Sequence, residues 1–103
     1  MLLSTVKATT EDVLNFLKAN PDWQVVDGKL HKTFQFRNFK IAFAFMTSVA
    51  DYAEEHDHHP EWFNVYKTVK VDLTTHSVAG ISQKDFELAK AMDVMASDVT
   101  RST

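Results

Sequence analysis

A helix gives way to a strand within the sequence EEHDHHPEWFNVY, which runs from Glu54 to Tyr66. Three of the five histidines lie here, at positions 56, 58 and 59, with carboxylates beside them. Pro60 cannot continue the helix, because its ring clashes with the preceding turn and its nitrogen has no hydrogen to donate. Adjacent helical residues point about 100° apart. His58 and His59 can therefore serve one site only where the helix unwinds.

The helix before this stretch is predicted to begin after Asn38, a favourable N-cap, and to run to about Asp57. Its apolar residues form two stripes at helical spacing. The first contains Phe39, Ala42, Phe43, Met46, Val49, Ala50 and Ala53, and the second contains Ile41, Phe45, Ser48 and Tyr52. A helix on the surface of one domain needs a single apolar face. The second stripe therefore predicts an oligomer interface, most simply with the same helix of another copy. The alternative is a helix covered on both sides within its own fold.

Strand patterns flank the long helix on both sides. Residues 23–27 and 29–37 are predicted strands joined by Asp27-Gly28, a hairpin turn signal. Residues 63–66 and 68–74 are predicted to form two more strands, joined by a turn without glycine. Lys32 breaks the alternation of the second strand, which we therefore expect to be half exposed or near an edge.

Shorter helices are predicted at the two ends of the chain. Residues 9–20 form the first, capped by Thr9 or Thr10. Ser82 caps the last helix, with Asp85 three residues on in a variant capping box. Asp85 falls in line with Leu88 on the apolar face, so it should point toward the protein.

The predicted order of elements is α-β-β-α-β-β-α. The simplest architecture for this order is an α+β fold, in which a four-stranded antiparallel sheet carries the helices packed on one face. The length of 103 residues suits one domain, and 45% hydrophobic residues suffice for a single core.

Composition argues against several classes of protein. The net charge of −3, without a basic block, lacks the electrostatic footprint of a nucleic-acid binder. The absence of cysteine excludes disulfides and thiol catalysis. Met1-Leu2-Leu3 is too short for a signal peptide, and no run reaches the roughly 20 apolar residues of a membrane span. We expect one domain over residues 1–103, located in the cytoplasm and also, for a coactivator, in the nucleus.

The histidine cluster allows three interpretations. A metal could be chelated by Glu55 and His59 or by His56 and His59, but three or four ligands are needed and no HExxH pattern is present. A solvated helix end is the second interpretation. Acid–base catalysis is the third, since an unperturbed imidazole has a pKa of about 6.5. It needs a further partner, for which His76 at the end of the fourth strand is the candidate.

The combined pattern is more specific than the histidine pair alone. Glu54, His58-His59-Pro60, Tyr66, His76 and Asp85 occur at spacings that resemble the signature of the pterin-4a-carbinolamine dehydratases, also called dimerisation cofactors of a homeodomain transcription factor. The segments HHPEWFNVY, THSVAG and AFAFMTSVA, and Trp23 ahead of a strand, are similar to that family as well. The resemblance covers about residues 10–97. Ser77 departs from it, being uncharged where animal members have an acid.

The resemblance implies a hydro-lyase, a 4a-hydroxytetrahydrobiopterin dehydratase. Such an enzyme removes water from a 4a-hydroxytetrahydropterin to give a quinonoid dihydropterin, in the recycling of tetrahydrobiopterin. His58, His59 and His76 correspond to its three active-site histidines. Asp85 corresponds to the motif aspartate, which could orient His76 or hold it charged. The pterin is the substrate, and no metal or redox cofactor is implied.

The residues implied in substrate binding are Glu54, the motif acid, together with Trp62, Trp23 and Thr75. The second function considered is a protein-binding module, in which the second stripe of the long helix meets a transcription factor's dimerisation helices or forms a homodimer or homotetramer. A third is an enzyme of the same fold that acts on another pterin. The sequence does not say which histidine is the acid and which is the base.

Overall fold

Three helices and four strands form in the predicted order, and the structure, a computed structural model, describes residues 5–101. The elements are α1 (Thr10–Ala19), β1 (Gln24–Val26), β2 (Lys29–Gln35), α2 (Phe39–His56), β3 (Glu61–Val65), β4 (Thr68–Leu73) and α3 (Gln83–Arg101), with a 3₁₀ turn at His76–Val78. Met1-Leu2-Leu3 lies outside the described residues. No helix within residues 5–101 is long and apolar enough to cross a membrane.

The strands form one antiparallel sheet in the order β1-β2-β4-β3, so the predicted α+β fold is confirmed. One face of the sheet supplies the core that the helices cover, and its fully buried residues include Leu30, Leu73, Val69 and Val71. The other face carries polar pairs such as His31 and Asp72. β1 and β3 are the two edges.

Left-handed residues close both hairpins. Asp27 (φ 52°) and Gly28 (φ 77°) form the predicted first turn, which needs positive φ at both positions. Tyr66 (φ 50°) turns the second hairpin without glycine. Here the Asn64 side chain supplies the stabilisation, because its Nδ2 donates to the carbonyl oxygens of Tyr66 at 3.1 Å and Thr68 at 2.9 Å.

Side-chain caps begin the helices where the sequence predicts them. Thr9 and Asp12 form a reciprocal capping box at α1. The backbone N–H of Ile41 donates to Oδ1 of Asn38 at 2.9 Å, which caps α2. These bonds satisfy helix N–H groups that have no partner inside the helix.

β2 was predicted to be half exposed or near an edge, and one of its faces is indeed buried while the other is more exposed, but it is not an edge strand. β2 pairs with β1 on one side and β4 on the other. Lys32 fits on the core face because its Nζ lies over the Phe34 ring, 4.7 Å from the ring centroid, and donates to Asp93 Oδ1 at 2.7 Å. A lysine can cover apolar surface in this way and still have its charge compensated.

The predicted interface stripe on α2 is wrong at Phe45. This side chain is fully buried and packs against Phe34 and Phe36, with ring centroids 4.8 and 4.9 Å away. The large apolar residues that α2 exposes belong to the first stripe, namely Phe39 (46% exposed) and Phe43 (54% exposed). Ile41, Ser48 and Tyr52 are partly buried, and their place in an interface stays a prediction.

Candidate active site

The end of α2 separates the two adjacent histidines. The helix stops at His56 because Asp57 takes the left-handed conformation (φ 49°, ψ 44°), and the His58 N–H then donates to the Ala53 carbonyl at 3.0 Å. The His58 side chain turns inward and is 11% exposed, whereas the His59 side chain is 54% exposed. The two imidazoles are therefore adjacent in sequence but differ in burial.

A closed loop after β4 presents the third histidine. Thr75 and Gly80 exchange backbone hydrogen bonds of 2.8 and 3.3 Å, and Ala79 is left-handed (φ 52°). The loop between them holds His76 at the surface, 85% exposed. Nε2 of His76 lies 3.6 Å from Oε2 of Glu61, at the start of the neighbouring strand β3.

All three histidines border one hollow of about 370 Å³. Its lining residues are Asp57, His58, His59, Pro60, Glu61, Thr74, Thr75, His76, Ser77 and Lys84. Because β3 and β4 are antiparallel neighbours, the chain that enters β3 and the chain that leaves β4 lie at the same end of these two strands. The structure therefore brings together the three histidines that the sequence singled out.

Asp85 lies behind the hollow, fully buried, and contacts a different histidine from the one considered above. Its Oδ1 is 2.7 Å from Nε2 of His58, and its Oδ2 accepts from Oγ1 of Thr75 at 2.8 Å and from the Ser82 backbone N–H at 2.9 Å. The expectation that Asp85 orients His76 is wrong, because His76 faces Glu61 across the opening. The inward direction of Asp85 is confirmed.

The other acidic residues of the site lie at its rim. Glu54 Oε2 is 2.6 Å from Nε2 of His59, where both side chains are exposed. Glu61 Oε1 accepts from Nζ of Lys29 at 2.6 Å. This hydrogen bond raises the pKa of the Lys29 ammonium, and the negative charges of Glu61 and Asp72 add to the shift. Sequence reasoning did not single out Glu61, because its place beside His76 depends on the pairing of β3 with β4.

The two tryptophans do not line the histidine hollow in this structure. Trp23 precedes β1 near the opposite edge of the sheet and is buried, with Nε1 donating to Asp93 Oδ2 at 2.9 Å beside Lys32. The structure therefore does not bring Trp23 to the histidines. Trp62 pairs with Val71 on the covered face of the sheet and packs on the core. Thr75 borders the hollow, but its hydroxyl is engaged by Asp85 and Ser82.

A second hollow, of about 400 Å³, adjoins the first at His58 and Lys84. Tyr52 and His56, one helical turn apart, stack along it with ring centroids 3.9 Å apart. Burial raises the pKa of the Tyr52 phenol, and the charges of Glu87 and Glu55 raise it further. Sequence reasoning considered His56 only as a possible metal ligand and missed Lys84. The i,i+4 spacing of Tyr52 and His56 was the available signal.

The arrangement suits proton transfer. Imidazoles are the side chains best placed to exchange protons near neutral pH, and a carboxylate accompanies each of these three. Among residues 5–101, no three histidine, aspartate or glutamate side chains are grouped so as to hold a metal ion.

The fold and the site define a class of protein. It is an α+β domain in which the end of a helix and the end of a strand bring three histidines to one hollow. Comparison with protein families matches residues 6–95 to the model described as pterin 4 alpha carbinolamine dehydratase. The chain therefore belongs to the pterin-4a-carbinolamine dehydratase family, which confirms the resemblance found in the sequence.

Individual relatives agree with this membership. A protein of Solibacter usitatus, provisionally named pterin-4-alpha-carbinolamine dehydratase, is 47% identical over 92 residues, which are 89% of this chain and 97% of its own. A protein of Dinoroseobacter shibae with the same provisional name is 57% identical over 76 residues, 72% of this chain and 78% of its own. The crystal structure of a transcriptional coactivator/pterin dehydratase from Brucella melitensis superposes with a TM-score of 0.85 at 42% identity, over 88% of this chain and 99% of that one.

Proposed function

We propose that this protein dehydrates a 4a-hydroxytetrahydropterin to the quinonoid dihydropterin by histidine acid–base catalysis. The observation that carries the proposal is the shared hollow of His58, His59 and His76. Family membership supplies the reaction class, and the geometry supplies groups for its two proton transfers.

The reaction balances without electron transfer. A base removes the proton from N5, the N5 electron pair forms the N5=C4a double bond, and the C4a–O bond breaks as an acid protonates the leaving hydroxyl. One protein group gains a proton and another loses one, and exchange with water restores both. The proposed chemistry thus needs neither a metal nor a redox cofactor. Positioned acids and bases typically contribute about 10²–10⁴-fold to such steps.

We place the reaction in the recycling of pterins oxidised by aromatic amino acid hydroxylases. A 4a-hydroxytetrahydropterin must come from an oxygenation at C4a, and the quinonoid product must be consumed by a reduction. A pterin with another side chain at C6 would undergo the same chemistry, since the three histidines are assigned to the bicyclic ring.

The test is the decay of enzymatically generated 4a-carbinolamine, followed by absorbance with purified full-length protein. His59→Ala and His76→Ala should each lower the catalysed rate by about 10²–10⁴-fold. His31→Ala is the matched control, because His31 also pairs with an aspartate, Asp72 at 2.9 Å, but lies on the uncovered face of the sheet. Folded protein that leaves the decay unchanged would refute the proposed activity.

We also propose that the chain self-associates, as a dimer or tetramer, through the exposed side of α2. Phe39 and Phe43 lie one turn apart with ring centroids 5.7 Å apart, and about half of each side chain is exposed. Large exposed apolar residues that adjoin one another on a helix favour contact with a second apolar surface. The coactivator activity named for the Brucella protein is a property of that protein, and the family match favours the enzyme.

A further inference from the structure

We propose that Ser82 and Thr75 are positioning residues. They act through Asp85 to keep the proton of neutral His58 on Nε2, which leaves Nδ1 as the atom of His58 that exchanges protons with the substrate. The catalytic half of this inference rests on the proposed dehydratase activity. The location of the proton on His58 does not depend on that activity.

The donors around Asp85 have a fixed direction. The Ser82 N–H can only donate, and it reaches Oδ2 at 2.9 Å. The Thr75 hydroxyl gives its one hydrogen to the same oxygen at 2.8 Å. The 2.7 Å contact between the Thr75 and Ser82 hydroxyls must then take its hydrogen from Ser82. Ser82 Oγ in turn accepts from the Lys84 N–H at 3.2 Å.

This chain of donors ends on a carboxylate whose other oxygen faces His58. Asp85 is fully buried, so water cannot replace any of these hydrogen bonds. A carboxylate only accepts, so the imidazole nitrogen 2.7 Å from Oδ1 must carry a hydrogen. The hydrogen bond made by one ring nitrogen decides which nitrogen is protonated. Neutral His58 therefore has its hydrogen on Nε2 and a lone pair on Nδ1.

Nδ1 of His58 is open to the hollows. It has no hydrogen-bond partner among residues 5–101. Over the same residues no buried side-chain nitrogen or oxygen lacks a partner. Nδ1 must therefore be reached by solvent, and His58 borders both hollows. Nε2, which carries the hydrogen, is bound to the buried Asp85, and the basic Nδ1 faces the space where substrate would lie.

Nitrogen-15 NMR of the labelled full-length protein tests the location of the proton directly. Long-range proton–nitrogen correlations distinguish a protonated ring nitrogen from an unprotonated one, and His58→Gln identifies the His58 signals. We expect a protonated Nε2 and an unprotonated Nδ1 at a pH where His58 is neutral. Thr75→Val and Ser82→Ala should shift these signals toward the other tautomer. Thr75→Val should also lower kcat by about tenfold with little change in KM, since a hydrogen bond to the charged Asp85 is lost. Ser82→Ala keeps the backbone donor to Asp85 and removes only the hydroxyl that donates to Thr75, so it should lower kcat less.

Two further variants separate positioning from general loss of stability. Thr75→Ser keeps the hydroxyl and should restore both the His58 signals and kcat. Thr9→Ala removes an equivalent helix cap at α1, which borders neither of the two hollows beside His58, and should alter neither the His58 signals nor kcat. Backbone spectra show whether each variant is folded.

The results separate the inference from the proposed function. A neutral His58 protonated on Nδ1, or His58 signals and kcat unmoved by Thr75→Val and Ser82→Ala, would overturn the positioning roles. Shifted signals with an unchanged kcat would overturn Nδ1 as the reacting atom. If the unaltered protein shows no dehydratase activity, the proposed function fails, while the spectra still decide where the proton lies.

Discussion

Replacing Asp85 by asparagine preserves the shape of the side chain and reverses one of its hydrogen bonds. The amide oxygen can still accept from Thr75 Oγ1 and the Ser82 N–H, as Oδ2 does now. The NH₂ group then occupies the place of Oδ1, 2.7 Å from Nε2 of His58. Two donors meet there, so His58 must move its hydrogen to Nδ1 or lose the hydrogen bond.

The size of the effect follows from the bond that is lost. A hydrogen bond to a charged group contributes about 1.5–3 kcal/mol, and Asp85 is fully buried, so solvent does not weaken it. At about 1.4 kcal/mol per factor of ten, we expect kcat to fall by roughly 10–150-fold. A domain of this size loses about 4–8 °C in Tm per kcal/mol. Tm should therefore fall by at least about 6 °C.

Scanning calorimetry measures the fall in Tm and is done at a fixed protein concentration, since self-association would make Tm depend on concentration. The rate of carbinolamine decay measures the fall in kcat. Asp12→Asn is the control, because Asp12 occupies the same capping position in α1 but is exposed and has no histidine beside it. If Asp85→Asn proves as stable and as active as the unaltered protein, the account of Asp85 as the carboxylate that fixes His58 is refuted.

Three further predictions concern other parts of the fold. The Tyr52 phenol should ionise above the ordinary pKa of about 10 in an absorbance titration, and Tyr52→Phe should remove that phase. Phe43→Glu should reduce the mass found by light scattering in a folded protein, whereas Phe45→Ala should lose about 3–5 kcal/mol of stability in urea. Trp23→Phe should lower Tm but leave KM unchanged, because its indole N–H is bound to Asp93, away from the hollow.

Each of these has a contradicting result. The raised pKa of Tyr52 means that the folded state holds the phenol proton more tightly than the unfolded chain. The stability this contributes is complete below about pH 10 and is lost as the pH rises through the folded pKa. A Tyr52→Phe variant with the same alkaline stability curve as the parent would contradict it. Unchanged mass in Phe43→Glu, or a raised KM in Trp23→Phe, would contradict the other two.

The order of elements could be predicted from local signals. Asn38 and Thr9 cap helices as their side chains indicate, and Asp27-Gly28 makes the hairpin turn that positive φ favours. The inward direction of Asp85 followed from helical spacing alone. These features depend on residues within a few positions of one another, so sequence determines them directly.

Features that depend on distant partners could not be predicted. Lys32 was taken as a sign of a half-exposed or edge strand because its partner, Asp93, lies 61 positions away on α3. The partner of Asp85 is His58 rather than His76, which is decided by how α3 packs against the end of α2. Helical spacing divided α2 into two stripes but did not say which one the core covers, so Phe45 was placed on the wrong side.

The compact span of the site along the chain has a practical consequence. Residues 54–85 contain every residue that borders the histidine hollow, together with Glu54 and Asp85. α1 and the β1–β2 hairpin contribute no lining residue to it. The whole stretch could be exchanged as one cassette with that of the Brucella relative. Such a chimera would exchange the histidine hollow without a junction among its lining residues.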